Sequence, residues 1–252
     1  MKPRAPAEPL FDAPEVVSSA QGKSLYFKGD QLQSQMRLDR PGELSIDYTR
    51  TMMGFLLFNT RPSRIALIGL GGGSLLKFCY YHLESAKLTG IEINPQVLAL
   101  STAFEVPEDP QRVALLCGDG ADFVRDTLIE HDVVLVDGFD SSGQSPSLCS
   151  QAFYNDCYQA LAHKGMMVAN MNPAHPDHEL FMGRIRLAFD NQVFELASQE
   201  ETNLIVFARK GRGLSLHDME SKPSNLLKEV TRAQLNVEFK RITRALQNHE
   251  PD

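Results

Sequence analysis

Glycines and acidic side chains follow apolar, strand-like segments at several places in this 252-residue chain. The first such place is the turn Gly69 to Ser74, which comes directly after the apolar run 64–69. Glycines here allow a tight turn and let a ligand approach the backbone beside the N–H groups that open the next helix. A turn that packing alone requires would have the same sequence, so the glycine turn indicates a ligand site only together with the strand ends that follow it. The candidate ligand-binding glycines of the turn are Gly69, Gly71, Gly72 and Gly73.

Two further strand ends carry carboxylates. Glu92 ends the strand-like run after the glycine turn, where a carboxylate can accept hydrogen bonds from both ribose hydroxyls. The following run ends in a Gly-Asp-Gly segment that contains Asp119 and Gly120. Since ligands of open α/β folds bind at the carboxyl ends of the strands, the three loops together predict a nucleoside site.

The glycine turn differs from two common phosphate-binding loops. Gly69 and Gly71 fit the spacing G-x-G-x-x-G, but Ser74 occupies its third glycine position. The turn also lacks the Lys and Ser/Thr of a phosphate-cradling loop. We therefore expect adenosine that carries a sulfonium, and neither a dinucleotide nor a triphosphate.

A fourth strand end carries a pair of carboxylates, Asp137 and Asp140, in a loop rich in Ser and Gly. An amine attacks only when it is neutral, so a positioned carboxylate that takes or holds its proton is what N-alkylation requires. Asp140 could also serve only to stabilise the turn, as Asp often does. The pair nevertheless predicts chemistry on an amine.

The elements that must position these groups alternate between strand-like and helical patterns. This alternation predicts an α/β fold with a doubly wound, mainly parallel, seven-stranded sheet of the S-adenosylmethionine-dependent methyltransferase type. Two runs joined by the short link 198–202 predict an antiparallel pair at one edge. The predicted strands are 65–69, 87–93, 113–117, 132–137, 166–170, 192–197 and 203–209. The predicted helices include 48–59, 74–81, 95–104 and 151–161.

The sequence divides into four segments. Residues 1–22 are rich in Pro, Ala and Glu and predict a flexible tail. Residues 23–60 predict a β-hairpin and a leading helix, and residues 61–212 the nucleoside-binding catalytic domain. Residues 213–252 predict a helical extension, because apolar residues recur there at three-four spacing.

Charge and hydropathy exclude several classes of protein. Asp plus Glu number 32 against 25 Lys plus Arg, and the net charge of −7 argues against nucleic acid or an anionic membrane as a partner. The apolar runs are too short to span a bilayer or to serve as a signal peptide, which predicts a cytoplasmic protein. The four cysteines form no C-x-x-C pair, so neither metal nor disulfide chemistry is expected.

Taken in order from Leu25 to Lys210, these pieces resemble the spermidine/spermine synthase (polyamine aminopropyltransferase) family, as a divergent member. The resemblance is carried by the segments Gly-Leu-Gly-Gly-Gly-Ser, Ile-Glu-Ile, Gly-Asp-Gly and Asp137-x-x-Asp140, with Gln33 in the hairpin and Tyr48 at the head of the helix. It implies an aminopropyl group moved from decarboxylated S-adenosylmethionine to an amine, with methylthioadenosine released. It also implies a homodimer and no tightly bound cofactor.

The resemblance assigns roles to individual residues. Glu92 would hold the ribose, Asp119 the adenine amino group, and Gln33 would lie in the donor pocket. Asp137 would be the base, and Asp140 would lie beside the acceptor amine.

The chain departs from the family pattern at three positions. Ser74 replaces an acid that holds the amine of the donor, Ser141 follows Asp140 where the family has Pro, and Arg50 replaces an acid near Tyr48. If Arg50 bordered the substrate with Tyr48, its permanent charge would repel a polyamine. Arg50 could instead pair with Asp47 or Glu43, or recognise a carboxylate on a substrate.

Two other functions are compatible with the same residues. One is methyl transfer from S-adenosylmethionine, with Arg50 facing the methionine carboxylate. The other is a catalytically silent nucleoside-binding protein, with the C-terminal helices as its partner surface.

Overall fold

The computed structural model of the chain describes residues 11–27, 31–140, 143–220 and 229–249. A small antiparallel sheet of three strands comes first: β1 (Glu15–Ser18), β2 (Gly22–Phe27) and β3 (Gln31–Arg37). The expectation of a flexible tail is wrong for residues 15–18, because Val16 pairs with Leu25 of β2 and Ser18 pairs with Lys23. Residues 1–10 of the expected tail lie outside the described residues.

The main sheet has seven strands in the order β11, β12, β10, β7, β4, β5, β6. All neighbouring pairs from β10 to β6 are parallel, whereas β12 is antiparallel to both β10 and β11. The predicted doubly wound sheet with an antiparallel edge pair is therefore confirmed. Its strands are β4 (Arg64–Ile68), β5 (Lys87–Glu92), β6 (Val113–Cys117), β7 (His131–Val136), β10 (Leu161–Met171), β11 (Val193–Ala197) and β12 (Leu204–Arg209). A two-stranded ribbon, β8 (Phe139–Asp140) and β9 (Gly143–Gln144), follows β7.

Helices cover both faces of this sheet. The α-helices are α1 (Asp47–Met52), α2 (Ser74–His82), α3 (Pro95–Leu98), α4 (Gly120–Asp126), α5 (Gln151–Ala160), α6 (His178–Ala188) and α7 (Glu229–His249). Ile65 and Leu67 of the inner strand β4 pack with α1, α2 and α7, whereas Ala66 and Ile68 pack with α4, α5 and α6. Successive side chains of a strand point to opposite faces, so a continuous apolar strand is the pattern of a sheet buried on both sides.

Two helices differ from the sequence pattern. The expected helix 48–59 is α1 followed by a 3₁₀ turn, Met53–Leu57. The expected helix 95–104 ends as a regular helix at Leu98 and continues as turns. None of the helices in the described ranges is long and apolar enough to cross a membrane.

The C-terminal helix α7 packs on the main core of the same chain. Leu235, Phe239, Ile242 and Leu246 are all buried in that core. The fully buried carboxylate of Glu238 accepts hydrogen bonds from Thr51 Oγ1 at 2.9 Å and from Arg241 Nη1 at 2.6 Å. The apolar stripe of α7 is therefore used to brace α1, the helix that carries Tyr48.

Candidate active site

A cavity of about 660 Å³ opens at the carboxyl edge of the main sheet. The loops that follow β4, β5, β6, β7 and β10 line its floor, and the small N-terminal sheet and α1 close one side. The turn 198–203 between β11 and β12 contributes to its rim through Glu200, Thr202 and Asn203. The parallel sheet thus brings the four predicted loops to one site.

The glycine turn after β4 divides into two parts. Gly69 and Gly71 line the cavity with positive φ angles of 86° and 51°. A Cβ on Gly69 would collide with the carbonyl of Asp137, so only glycine allows this close approach. Gly72 and Gly73 do not line the cavity, and the expectation that they touch the ligand is corrected. They pack against the protein, where a Cβ would meet Ser34 Oγ and Val106 Cγ2 at 2.6 Å.

Glu92 lines the cavity and also holds the glycine turn in place. Its Oε2 accepts hydrogen bonds from the N–H groups of Leu70 at 2.9 Å and Gly71 at 3.4 Å, and its Oε1 accepts from Asn94 N at 2.9 Å. The side chain is only 7% exposed. Because each carboxylate oxygen can accept more than one hydrogen bond, a ribose hydroxyl can still bind here.

Asp119 and Gly120 lie at the next strand end, on the cavity wall. Asp119 is the N-cap of α4, since its Oδ1 accepts from Ala121 N at 2.8 Å. The hydroxyl of Ser147 donates to the same oxygen at 3.3 Å. These two bonds fix the direction of the carboxylate toward the cavity.

Asp137 lies between two donors at the bottom of the cavity. Tyr48 Oη donates to its Oδ2 at 3.0 Å, and Asn170 Nδ2 donates to its Oδ1 at 2.8 Å. Asn170 in turn accepts from Asn203 Nδ2 at 2.9 Å. The carboxylate that the sequence selects as a base is thus oriented from both sides.

Burial changes the proton affinity of this pair. Burial raises the pKa of Asp137 above its ordinary value, while the bonds from Asn170 and Tyr48 act in the opposite direction. Burial, together with the negative charge of Asp137, raises the pKa of Tyr48 well above its ordinary value. Tyr48 is therefore a proton-bearing donor, and Asp137 accepts a proton more readily than an exposed carboxylate does.

The N-terminal sheet reaches the cavity through β3. Gln33 and Ser34 both line it, and the hydroxyl of Ser34 lies 3.1 Å from the hydroxyl of Ser74 in the glycine turn. Ser74 therefore bridges two elements in place of presenting an acid.

One predicted residue, Arg50, is not brought together with the others, and the position of the Asp140 side chain is outside the described residues. Arg50 does not line this cavity; its Nη1 donates to the carbonyls of Leu44 at 2.9 Å and Ser45 at 3.2 Å, beside a second cavity under β3. The expectation that Arg50 faces a substrate is corrected, because residues two apart lie on opposite sides of a helix, and Tyr48 is on the side of α1 that faces Asp137. Asp140 pairs through its backbone with Gly143, and its side chain lies outside the described residues.

The charges around the cavity have one sign. No Lys, Arg or His lines it within the part of the chain that the structure describes. The acidic residues on its described lining are Asp12, Asp47, Glu92, Asp119, Asp137 and Glu200. Such a cavity concentrates cations and repels anions.

Asn170 and Asp47 belong to the site, although the sequence patterns did not select them for it. Asn170 lies near the end of another parallel strand, β10, so the rule that selected Glu92 and Asp137 could have found it. Asp47 enters only through the fold, because it lies on α1 and contacts the distant turn 198–203.

The seven-stranded, mainly parallel sheet with helices on both faces has the fold of the S-adenosylmethionine-dependent methyltransferase type. A structure of human methyltransferase-like protein 13 in complex with SAH matches with a TM-score of 0.59 and 18% identity, over 82% of this chain and 94% of that one. A probable spermidine synthase from Corynebacterium glutamicum matches with a TM-score of 0.69 and 18% identity, over 84% and 81%. Both likenesses concern the fold.

Sequence comparison identifies the family. The model of the spermine/spermidine synthase domain matches residues 46–194. A polyamine aminopropyltransferase of Chromobacterium violaceum is 38% identical over 209 residues, which cover 81% of this chain and 80% of the relative. The chain belongs to the spermine/spermidine synthase family, as the resemblance of its motifs predicts.

Proposed function

We propose that this protein transfers an aminopropyl group from decarboxylated S-adenosylmethionine to an amine and releases methylthioadenosine. Membership of the family and the name of the Chromobacterium relative support the reaction. The observation that carries the choice of donor is the cavity lining, which is acidic and has no cationic side chain among its described residues. A sulfonium with a free amine fits this lining, whereas a methionine carboxylate would be left without a cationic partner.

The nucleoside end of the donor fits the loops after β5 and β6. Glu92 accepts hydrogen bonds from the ribose, and Asp119 accepts one from the adenine amino group. Ile93, which is 42% exposed, and Leu148 also line the cavity and supply apolar surface for the adenine ring. Gly69, Gly71 and Gly120 let the ligand lie against the backbone, and Gln33 closes the pocket from β3.

Asp137 performs the proton transfer. The nitrogen of the neutral acceptor amine attacks the carbon next to the sulfonium, so that an N–C bond forms while the C–S bond breaks. The electron pair of the broken bond stays on sulfur, which becomes a neutral thioether. The new ammonium then gives one proton to Asp137, which Tyr48 and Asn170 hold in place. Asp140, from its place in the loop after Asp137, is proposed to contact the acceptor amine.

Family membership also supports two further proposals, on oligomeric state and on location. The active form is a homodimer, and the protein acts in the cytoplasm on small amines. Size-exclusion chromatography with light scattering measures the first, and fractionation of expressing cells measures the second.

Calorimetric titration tests the choice of donor. Methylthioadenosine, S-adenosylmethionine and its decarboxylated form are titrated separately into the protein. We expect the decarboxylated donor to bind at least tenfold more tightly than the carboxylated one. The reverse preference would support methyl transfer, and the absence of binding by all three would support a protein that does not act on nucleosides.

A further inference from the structure

The C-terminal helix α7 carries polar side chains on the face that packs against the rest of the chain, and the proposed reaction does not use them. Gln234, Glu238 and Arg241 follow one another at spacings of four and three residues, which places them on one side of the helix. The side chain of Glu238 is 0% exposed. Since the family model matches residues 46–194, these side chains lie in a part of the chain that the family model does not describe.

Two of these side chains hold α1 near its two ends. Gln234 Nε2 donates a hydrogen bond to the carbonyl of Leu44 at 2.9 Å, shortly before α1 begins. Glu238 Oε2 accepts a hydrogen bond from Thr51 Oγ1 at 2.9 Å, in the last turn of α1. Tyr48 lies between these two attachment points, so α7 fixes the segment that carries it.

Arg241 connects the same carboxylate to the turn between β11 and β12. Its Nη1 donates to Glu238 Oε2 at 2.6 Å, and its Nη2 donates to the carbonyl of Ala197 at 2.9 Å. Ala197 is the last residue of β11, directly before the turn 198–203. One buried carboxylate on α7 is therefore bonded to α1 and, through Arg241, to the start of this turn.

The two elements that α7 holds are the ones that orient Asp137. α1 carries Tyr48, whose hydroxyl donates to Asp137 Oδ2 at 3.0 Å. The turn carries Asn203, which donates to Asn170 at 2.9 Å, and Asn170 donates to Asp137 Oδ1 at 2.8 Å. Within the part of the chain that the structure describes, Tyr48 and Asn170 are the side chains that donate to Asp137.

Stability alone does not explain a charged pair at this position. The second oxygen of Glu238, Oε1, has no hydrogen-bond partner among the described residues. The desolvation cost of a buried ion pair can exceed its attraction, and apolar side chains of similar volume often serve a core equally well. What the pair adds is direction, because hydrogen bonds fix how α1 and the turn are aligned on α7, whereas apolar contacts alone are not directional.

We propose that Glu238 and Arg241 are positioning residues for Asp137. They fix α1 relative to the turn 198–203, so that one donor stays on each oxygen of the Asp137 carboxylate. Neither Glu238 nor Arg241 lines the cavity, so both act through other residues. This inference rests on the proposed function and adds the C-terminal helix to the groups that control its base.

Two matched sets of variants test this role. Arg241→Met removes the bond to Ala197, and Arg244→Met, at an exposed arginine of the same helix, is its control. Thr51→Val removes the hydroxyl that donates to Glu238, and Thr51→Ser restores a hydroxyl. If Arg241→Met alone fails to fold, Glu238→Gln combined with Arg241→Met removes both charges, so that no unpaired charge stays buried.

The pH profile of kcat/KM and the binding of methylthioadenosine are the two measurements. We expect Arg241→Met and Thr51→Val to move the acidic limb upward by about 0.5 to 1 unit, because looser donors let the pKa of Asp137 rise further. Methylthioadenosine affinity should stay within about twofold, since the nucleoside end of the cavity is built from other loops. Thr51→Ser should restore the parent profile.

Three results would overturn the proposal. The first is an acidic limb that does not move while the midpoint of thermal unfolding falls, which would mean that Glu238 and Arg241 only stabilise the fold. The second is an equal displacement of the limb in the control Arg244→Met. The third is a displaced limb that Thr51→Ser fails to restore.

A titration that needs no turnover separates this inference from the proposed function. Carbon-13 NMR of labelled aspartate carboxyl groups follows the protonation of Asp137, whose signal is assigned by its loss in Asp137→Asn. If the parent protein transfers no group to any amine, the proposed function fails, yet a higher pKa of Asp137 in Arg241→Met still supports the positioning role. An equal pKa of Asp137 in parent and variant contradicts it.

Discussion

Removing the hydroxyl of Tyr48 tests whether Asp137 is the base. Tyr48→Phe deletes the donor that lies 3.0 Å from Asp137 Oδ2 and leaves the Asn170 bond to Oδ1 in place. A hydrogen bond to a charged group contributes about 1.5–3 kcal/mol, and one pKa unit corresponds to about 1.36 kcal/mol, so the pKa of Asp137 should rise by about one to two units. Burial already raises this pKa in the parent protein, and the variant adds to that direction.

The sign of the effect follows from the role of the base. Asp137 must be ionised to accept a proton, so a higher pKa leaves it protonated, and inactive, up to a higher pH. The acidic limb of kcat/KM against pH should therefore move about one to two units upward.

The assay follows the release of methylthioadenosine from about pH 5 to about pH 10, a range chosen to include the acidic limb. Tyr81→Phe is the matched control, because this ring is 40% exposed and lies outside the cavity. Asn170→Ala should move the limb in the same direction, but it also breaks the contact with Asn203 and is the less clean variant. An acidic limb that does not move in Tyr48→Phe would refute the assignment of Asp137 as the base under the control of Tyr48.

Three further changes test other parts of the site. Asp137→Asn should lower turnover by about 10²–10⁴ while methylthioadenosine affinity stays within about twofold, and wild-type turnover would make this carboxylate structural. Glu92→Ala should weaken methylthioadenosine binding at least tenfold, roughly the effect of one lost charge-assisted hydrogen bond, and calorimetry measures this change. It should also lower the midpoint of thermal unfolding in a melting curve, because three backbone N–H groups lose their acceptor. Unchanged affinity would contradict the ribose role. Arg50→Glu should leave KM for diamines within about twofold, since Arg50 borders the second cavity and does not line the first. A clear gain of diamine activity would show that Arg50 reaches the substrate.

The sequence alone determined the sheet and the loops that carry its chemistry. A strand that is buried on both faces is apolar along its whole length, so continuous apolar runs indicate such strands. The carboxyl ends of parallel strands meet at one edge of the sheet. These two rules bring Gly69, Glu92, Asp119 and Asp137 to one cavity, as the structure has them. The family resemblance rests on the same loops, which is why it could be drawn before the fold.

Other features depend on contacts between segments far apart in the chain. β1 pairs with β2 although its composition suggests a loose tail, because a neighbouring strand satisfies its backbone groups. The orientation of α1 is set by packing against α7, and it turns Tyr48 toward Asp137 and Arg50 away from it.

Asp47 shows the same limit of local sequence information. Its neighbours in the chain suggest a partner for Arg50, yet its contact is the N–H of Glu200, 153 positions away. Spacing along the chain reports which face of an element is apolar, but the element that covers that face is chosen by packing of the whole molecule. Only the tertiary structure could therefore decide which charges face the substrate.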